Sequence, residues 1–274
     1  MTSPRAESLT RQRDWGNSLK PAPMNESLIS YKNATIVYDN TLIAQPSLAL
    51  FDPTHYSEHD SNSAGRGSVL FIPGQTLMSG QKNTWVLKQY LRGGMVRHLS
   101  HTHYFYTGLN HTRMVAEFRL LQQMHRWQLP VPRPVAALVL RSGCLYSGSL
   151  ITEKINALGT LGEICAAMKI PEQQWQAIGT CVARFHARNI CHADLNANNI
   201  MLAEDGVFLI DFDKGKTKNE SQQQNEQQNQ QKWQADNLAR LRRSLEKIKA
   251  EGCPHDPLLY WDSLVASYIE AIAA

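Results

Sequence analysis

The sequence offers little support for a disulfide scaffold or a zinc–thiolate site. Five cysteines, Cys144, Cys165, Cys181, Cys191 and Cys253, are scattered, with no C-x-x-C pair and no zinc spacing with histidine. An odd, dispersed set implies reduced cytosolic thiols, most of them core fillers. No run approaches the roughly 18 apolar residues of a membrane span. The stretch from Met1 to Pro23 is polar and lacks an apolar h-region, so it is not expected to be a secretory signal. Composition marks residues 1–30 as a flexible tail. Charge is nearly balanced: 28 Lys and Arg against 24 Asp and Glu leave a net +4. That excess is too small to argue for nucleic acid, and it suits an anionic substrate or an anionic membrane surface.

What is present centres on two short turns. The first is His192-Ala-Asp194-Leu-Asn196-Ala-Asn198-Asn199, and the second is Asp211-Phe212-Asp213. Each adjoins a short apolar run, residues 200–202 and 207–210. The runs predict the strands of a hairpin turned by Glu204-Asp205-Gly206. Such a hairpin brings Asp194, Asn199 and Asp211 together at one end. Phosphoryl transfer from ATP needs this group. One carboxylate accepts the proton of the attacking hydroxyl, while an amide oxygen and a second carboxylate hold Mg²⁺ on the phosphates. The protein-kinase pattern is H-R-D-L, an asparagine five residues after the Asp, then D-F-G. Here the five-residue spacing is kept, Ala193 replaces the arginine, and Asp213 replaces the glycine. The plainer alternative, two acidic turns in a hairpin, leaves four agreeing positions unexplained.

Upstream, Ala34 to Tyr38 and Leu42 to Phe51 are read as strands or a strand and a turn, and residues 52–64 as a loop. Gly65-Arg66-Gly67 leads into the apolar run from Val69 to Ile72. Glycines there let a backbone approach phosphates, although an ordinary hairpin turn fits equally well. Trp85 to Tyr90 predicts a buried strand carrying Lys88. Thr112 to Gln128 predicts a helix capped by Thr112. On it Glu117 shares a face with Leu120, Leu121 and Met124. A carboxylate on an apolar face needs a cation, and Lys88 is the expected partner. Between strand and helix, residues 92–111 hold no acid. The basic, glycine-containing loop with Arg92 and Arg97 serves equally as a solvated loop or as a receiver of an anionic substrate.

Pro130, Pro132 and Pro134 end the helix. Strands over about 134–140 and 144–155 follow, and Glu153 falls where the hinge of a two-lobed kinase would offer backbone groups to adenine. Pro171 to Arg188 predicts a helix with Pro171 at its first position. After Gly215, residues 216–232 are dense in Gln and Asn, which implies disorder or an extended helix start. Helices over about 233–250 and 257–272 close the chain. No Ala-Pro-Glu follows the second turn, so the C-terminal part is too short for a full protein-kinase lobe.

Taken together, several stretches resemble the lipopolysaccharide kinase family, a branch of the protein-kinase-like fold. They are Tyr90-Leu-Arg92-Gly-Gly94, Ala116-Glu-Phe-Arg-Leu-Leu121, Leu129-Pro-Val-Pro-Arg-Pro134, the His192 and Asp211 turns, and Asn237-Leu-Ala-Arg-Leu-Arg-Arg-Ser244. The resemblance covers about residues 65–270. It implies an α+β, two-lobed fold: a mainly antiparallel β N-lobe over 31–155 and a short, mainly helical C-lobe over 156–274. It further implies Asp194 as catalytic base beside His192, Asn199 and Asp211 as Mg²⁺ ligands, and Lys88 with Glu117 as the pair that orients ATP. Gly65, Gly67 and Glu153 would complete the nucleotide site, and Arg92 and Arg97 would meet the acceptor. The reaction implied is ATP-dependent phosphorylation of a hydroxyl of 3-deoxy-D-manno-octulosonic acid (Kdo) on the lipid-linked acceptor Kdo-lipid IVA. Its place would be peripheral, at the cytoplasmic face of the bacterial inner membrane. A heptose kinase, an aminoglycoside-type phosphotransferase and a non-catalytic kinase-like binding module are the competing readings. An intact Lys88, Asp194, Asn199 and Asp211 set argues against the last.

Overall fold

The computed structural model describes residues 24–56, 61–62, 69–74, 83–90, 104–217 and 226–274. These form two compact units, 24–127 with 132–154, and 128–131 with 155–274.

The first unit is an eight-stranded antiparallel sheet with one long helix. Its strands are β1 (Glu26–Ser30), β2 (Ala34–Asp39), β3 (Ser61–Asn62), β4 (Val69–Pro73), β5 (Thr84–Gln89), β6 (Tyr104–Phe105), β7 (Pro134–Ser142) and β8 (Leu145–Glu153). The order is β1-β2-β7-β8-β5-β4-β3, with β6 also paired to β8. Helix α1 (Arg113–Arg126) buries Met114, Phe118, Leu121 and Met124, the stripe its 3.6-residue period requires. A second apolar cluster joins Ile36, Phe51, Ile72, Trp85, Leu87, Leu138 and Ile151.

One expectation changes here and another is decided. Residues 26–30, assigned by composition to a tail, are a strand. Glu26 is tied to α1 by Arg119, whose Nη2 lies 2.7 Å from Glu26 Oε1. Of the two readings of the next stretches, the strand and the turn hold: Leu42–Phe51 is a turn followed by a 3₁₀ helix at Leu48–Phe51. Buried Asp39 accepts from the Thr41 N–H and hydroxyl and from Arg133, and so closes the chain into that turn. Thr112 does sit at the N-cap of α1, but its hydroxyl donates to the Leu109 carbonyl and makes no side-chain cap.

The second unit is mainly helical. It contains β9 (Ala157–Thr160), α2 (Leu161–Ala167), α3 (Glu172–His186), β10 (Ile190–Cys191), β11 (Ile200–Ala203), β12 (Gly206–Leu209), β13 (Lys216–Thr217), α4 (Glu226–Ala250) and α5 (Trp261–Ala273). The expected hairpin is β11–β12, with Ile200 opposite Leu209 and a tighter Glu204-Asp205 turn, since Gly206 already pairs with Ala203. Pro171 is the N-cap of α3, one position before the expected first turn. The Trp175, Ile178, Val182 and Phe185 stripe of α3 is buried as its spacing requires. Helices α3 and α5 approach closely: a Cβ on Gly179 would stand 2.1 Å from the Leu264 carbonyl. Strand β9 and helix α2 were not expected from sequence. The Thr160–Glu163 capping box starts α2, and β9 pairs with β11. Residues 226–232 of the Gln-rich stretch belong to α4, the extended helix start of the two readings, while 218–225 lie outside the described residues.

Cys165 and Cys181 are buried, and burial pushes each thiol up to about 12, so both act as inert packing. Among the described residues no helix is long and apolar enough to cross a membrane.

Candidate active site

The Asp194 turn runs from β10 through a 3₁₀ turn at Ala197–Asn199 into β11. Each residue in it is held by a specific bond. The Asp194 N–H donates to His192 Nδ1 at 3.1 Å. A backbone N–H can only donate, so Nδ1 is the acceptor and the imidazole proton sits on Nε2. That proton then goes to the Ile210 carbonyl, 2.9 Å away. His192 is 2% exposed and packs against Phe212, ring centroids 4.7 Å apart. His192, named with Asp194 as catalytic from sequence, is buried and braces the turn that carries Asp194. Both ring nitrogens are engaged, and it links the Asp194 turn to the Asp211 turn.

Asn199 is the second fixed point. Its Nδ2 donates to the Asp194 carbonyl at 2.8 Å, and its own carbonyl accepts from the Ile210 N–H at 3.0 Å. Asn196 braces the same turn: its Nδ2 donates to the Asp194 carbonyl and its Oδ1 accepts from the Asn198 N–H. On α2, a Cβ at Gly162 would stand 2.3 Å from Asn198 Oδ1, so a side chain there would displace the turn. The Asp194 side chain itself is 69% exposed. A turn held rigidly by its backbone thus presents one open carboxylate, as a general base requires.

Asp211 follows directly on the residue bonded to Asn199. Its φ of 62° is left-handed, a conformation a non-glycine residue adopts only under constraint, most readily when it is Asp or Asn. Lys214 repeats this at 63°, and the Gly215 N–H closes the turn on the Phe212 carbonyl at 2.7 Å. Among the described residues no three His, Cys, Asp or Glu side chains cluster as a metal cage. The donors at hand are an amide oxygen on Asn199, whose nitrogen is already committed, and the Asp211 carboxylate. Two hard oxygens completed by phosphates and water fit Mg²⁺ chemistry.

In the first unit, Lys88 Nζ lies 3.2 and 3.0 Å from the two carboxylate oxygens of Glu117. Tyr90, which sequence reasoning did not single out, donates a short hydrogen bond from its hydroxyl to Glu117 Oε2. The signal was its place two residues after Lys88, on the same strand face. At Glu153, where hinge backbone groups were expected to meet adenine, the N–H donates to the Arg133 carbonyl at 2.8 Å. Burial pushes the Glu153 carboxyl above its usual range, against the pull of Arg133. Gly65, Gly67, Arg92 and Arg97 lie outside the described residues.

Comparison with known proteins decides the class. The family described as Lipopolysaccharide kinase (Kdo/WaaP) family matches residues 73–257. The chain belongs to the lipopolysaccharide kinase (Kdo/WaaP) family. As a member of this kinase family it is a phosphotransferase that uses ATP. It is 36% identical over 224 residues to a 3-deoxy-D-manno-octulosonic acid kinase of Xylella fastidiosa (strain M23), covering 81% of this chain and 84% of that one. It is 35% identical over 226 residues to the kinase of the same name in Stenotrophomonas maltophilia (strain K279a), again covering 81% and 84%. It is 33% identical over 244 residues to that of Photobacterium profundum, covering 88% and 97%. A solved structure described as WaaP in complex with acyl carrier protein aligns with a TM-score of 0.48 and 13% identity, covering 81% of this chain and 82% of that one.

Proposed function

We propose that this lipopolysaccharide kinase transfers the γ-phosphoryl group of ATP to a hydroxyl of Kdo on a lipid-linked acceptor, Kdo-lipid IVA, in lipopolysaccharide core biosynthesis. The observation that carries this reading is the 33–36% identity to 3-deoxy-D-manno-octulosonic acid kinases over 81–88% of the chain. Asp194, the exposed carboxylate on a braced turn, takes the acceptor hydroxyl's proton as its oxygen bonds to phosphorus. Asn199 and Asp211 would hold Mg²⁺, which neutralises phosphate charge when bound. Lys88, fixed by Glu117, meets the nucleotide phosphates, with Gly65, Gly67 and Glu153 completing the nucleotide site. Arg92 and Arg97 receive the acceptor's carboxylate and phosphates. The acceptor's lipid anchor puts the work at the cytoplasmic face of the inner membrane, with the enzyme bound peripherally.

The test is ATP turnover with Mg²⁺ against Kdo-lipid IVA, a heptosylated core and an aminoglycoside in parallel. Phosphate transfer to Kdo-lipid IVA alone is expected. Preference for the heptosylated core or for the aminoglycoside would replace the acceptor in this reading.

A further inference from the structure

The catalytic turn carries no cation of its own. Between His192 and Asn199 the side chains are apolar, amide or carboxylate, and Ala193 stands where the H-R-D pattern has its arginine. A guanidinium nevertheless reaches this point, from a different element. Arg240 on α4 donates from Nη1 to the Ala193 carbonyl, and the same nitrogen lies 3.7 Å from Asp194 Oδ1. Two neighbours on one face of α4 hold the turn on either side, at spacings of three and four residues. Asn237 Oδ1 accepts from the His192 N–H at 3.2 Å, and Ser244 Oγ accepts from the Ala197 N–H at 2.8 Å. Leu241 and Leu245, both fully buried, fix that face of the helix.

We propose that Arg240 is a positioning residue for Asp194, a guanidinium supplied by α4 in place of the arginine missing from the turn. The proposal rests on the reading of Asp194 as the base. With Oδ1 turned to Arg240, Oδ2 is the oxygen left for the acceptor hydroxyl. In the step served, the hydroxyl oxygen bonds to phosphorus, its proton passes to the Asp194 carboxylate, and the bond from the γ-phosphorus to the ADP oxygen breaks. Arg240 gains and loses no bond. It keeps the carboxylate in one orientation by charge and by its anchor on the Ala193 carbonyl. With side chains 42% and 69% exposed, the pair adds little to stability, so its effect belongs to turnover.

The experiment is a double-mutant cycle on the full chain, with Kdo-lipid IVA and ATP varied in turn. The variants are Arg240→Ala, Arg240→Lys, Asp194→Asn and Asp194→Asn with Arg240→Ala. Arg242→Ala is the control, since Arg242 pairs with Glu246 on the exposed side of the same helix. Arg240→Ala is expected to lower kcat about 10–100-fold with the KM for ATP within about twofold, and Arg240→Lys to recover much of it. In the Asp194→Asn background the same change is expected to cost less than about twofold, because the group it acts through is gone. Equal losses in both backgrounds would mean a merely structural role and overturn the proposal. A loss confined to the acceptor's KM would also overturn it and assign Arg240 to the acceptor's carboxylate. Near-normal kcat in Asp194→Asn would remove the underlying reading of Asp194. A fall in Asp194→Asn with unchanged Arg240→Ala would remove this proposal alone.

Discussion

Lys88 Nζ lies 3.0 Å from Glu117 Oε2, the carboxylate 3% exposed and the ammonium 23% exposed. The asymmetry sets what each truncation does. Lys88→Met leaves a buried carboxylate without its ion-pair partner, held by the Tyr90 hydroxyl, and is expected to cost about 3 kcal/mol. Tyr90→Phe removes one hydrogen bond to a charged group and is expected to cost about 2 kcal/mol. Urea unfolding of the two variants checks the order. If Lys88→Met proved no less stable than the parent, Glu117 would not depend on it.

Asp194→Asn keeps the size of the side chain and removes the carboxylate proposed as the base. kcat is expected to fall on the order of 10²–10⁴-fold, with ATP affinity little changed. Steady-state kinetics and a nucleotide titration read the two effects separately.

Asp211 carries two properties that can be split. Asp211→Gly removes the carboxylate and relieves a φ of 62°, whereas Asp211→Ala removes the carboxylate and keeps the strain. Both are expected to abolish Mg²⁺-dependent nucleotide binding. In thermal unfolding without nucleotide, the Gly variant is expected to be the more stable by about 1 kcal/mol. Unchanged nucleotide titrations in the presence of Mg²⁺ would withdraw Asp211 as a ligand.

His186 gives a pH dependence with a definite sign. It is 1% exposed, with Nδ1 2.9 Å from the Tyr268 hydroxyl and Nε2 3.4 Å from Asn237 Oδ1. Burial lowers its pKa from 6.5 to about 4. As pH falls, the unfolded chain therefore takes up the proton first. The stability contributed is full above about pH 6.5 and is lost progressively down to about pH 4. The expected loss between about pH 7 and about pH 5 is about 2 kcal/mol from this group. His186→Gln should flatten that part of the urea-unfolding profile; an unchanged slope would mean that the imidazole is not held neutral.

Arg92→Ala and Arg97→Ala are expected to raise the KM for the lipid-linked sugar and leave the KM for ATP nearly unchanged. Guanidinium groups grip carboxylate and phosphate bidentately, and the long-range part of the effect should weaken as salt rises. An effect on ATP alone would place this loop over the nucleotide.

Local order decides how much of this could be read from the chain alone. The β11–β12 hairpin and the five-residue spacing from Asp194 to Asn199 are set within about twenty residues, so apolar runs and turn residues sufficed. The Lys88–Glu117 pair was also legible, although 29 residues apart, because an acid on an apolar helix face cannot be buried without a cation. The bonding of His192 was not. Histidine in that motif is compatible with chemistry or with bracing, and only the tertiary fold brings the Ile210 carbonyl and the Asp194 N–H to its two nitrogens. Tyr90 was hidden because a tyrosine ending a strand needs no explanation until its hydroxyl is found on Glu117. The face of α4 was hidden most fully. Asn237, Arg240 and Ser244 have the composition of any solvated helix face, and their partners lie 45–47 residues away. A helix pattern states which side is apolar; which backbone groups its polar side meets depends on how α4 packs across the turn, and that is settled only by the tertiary fold.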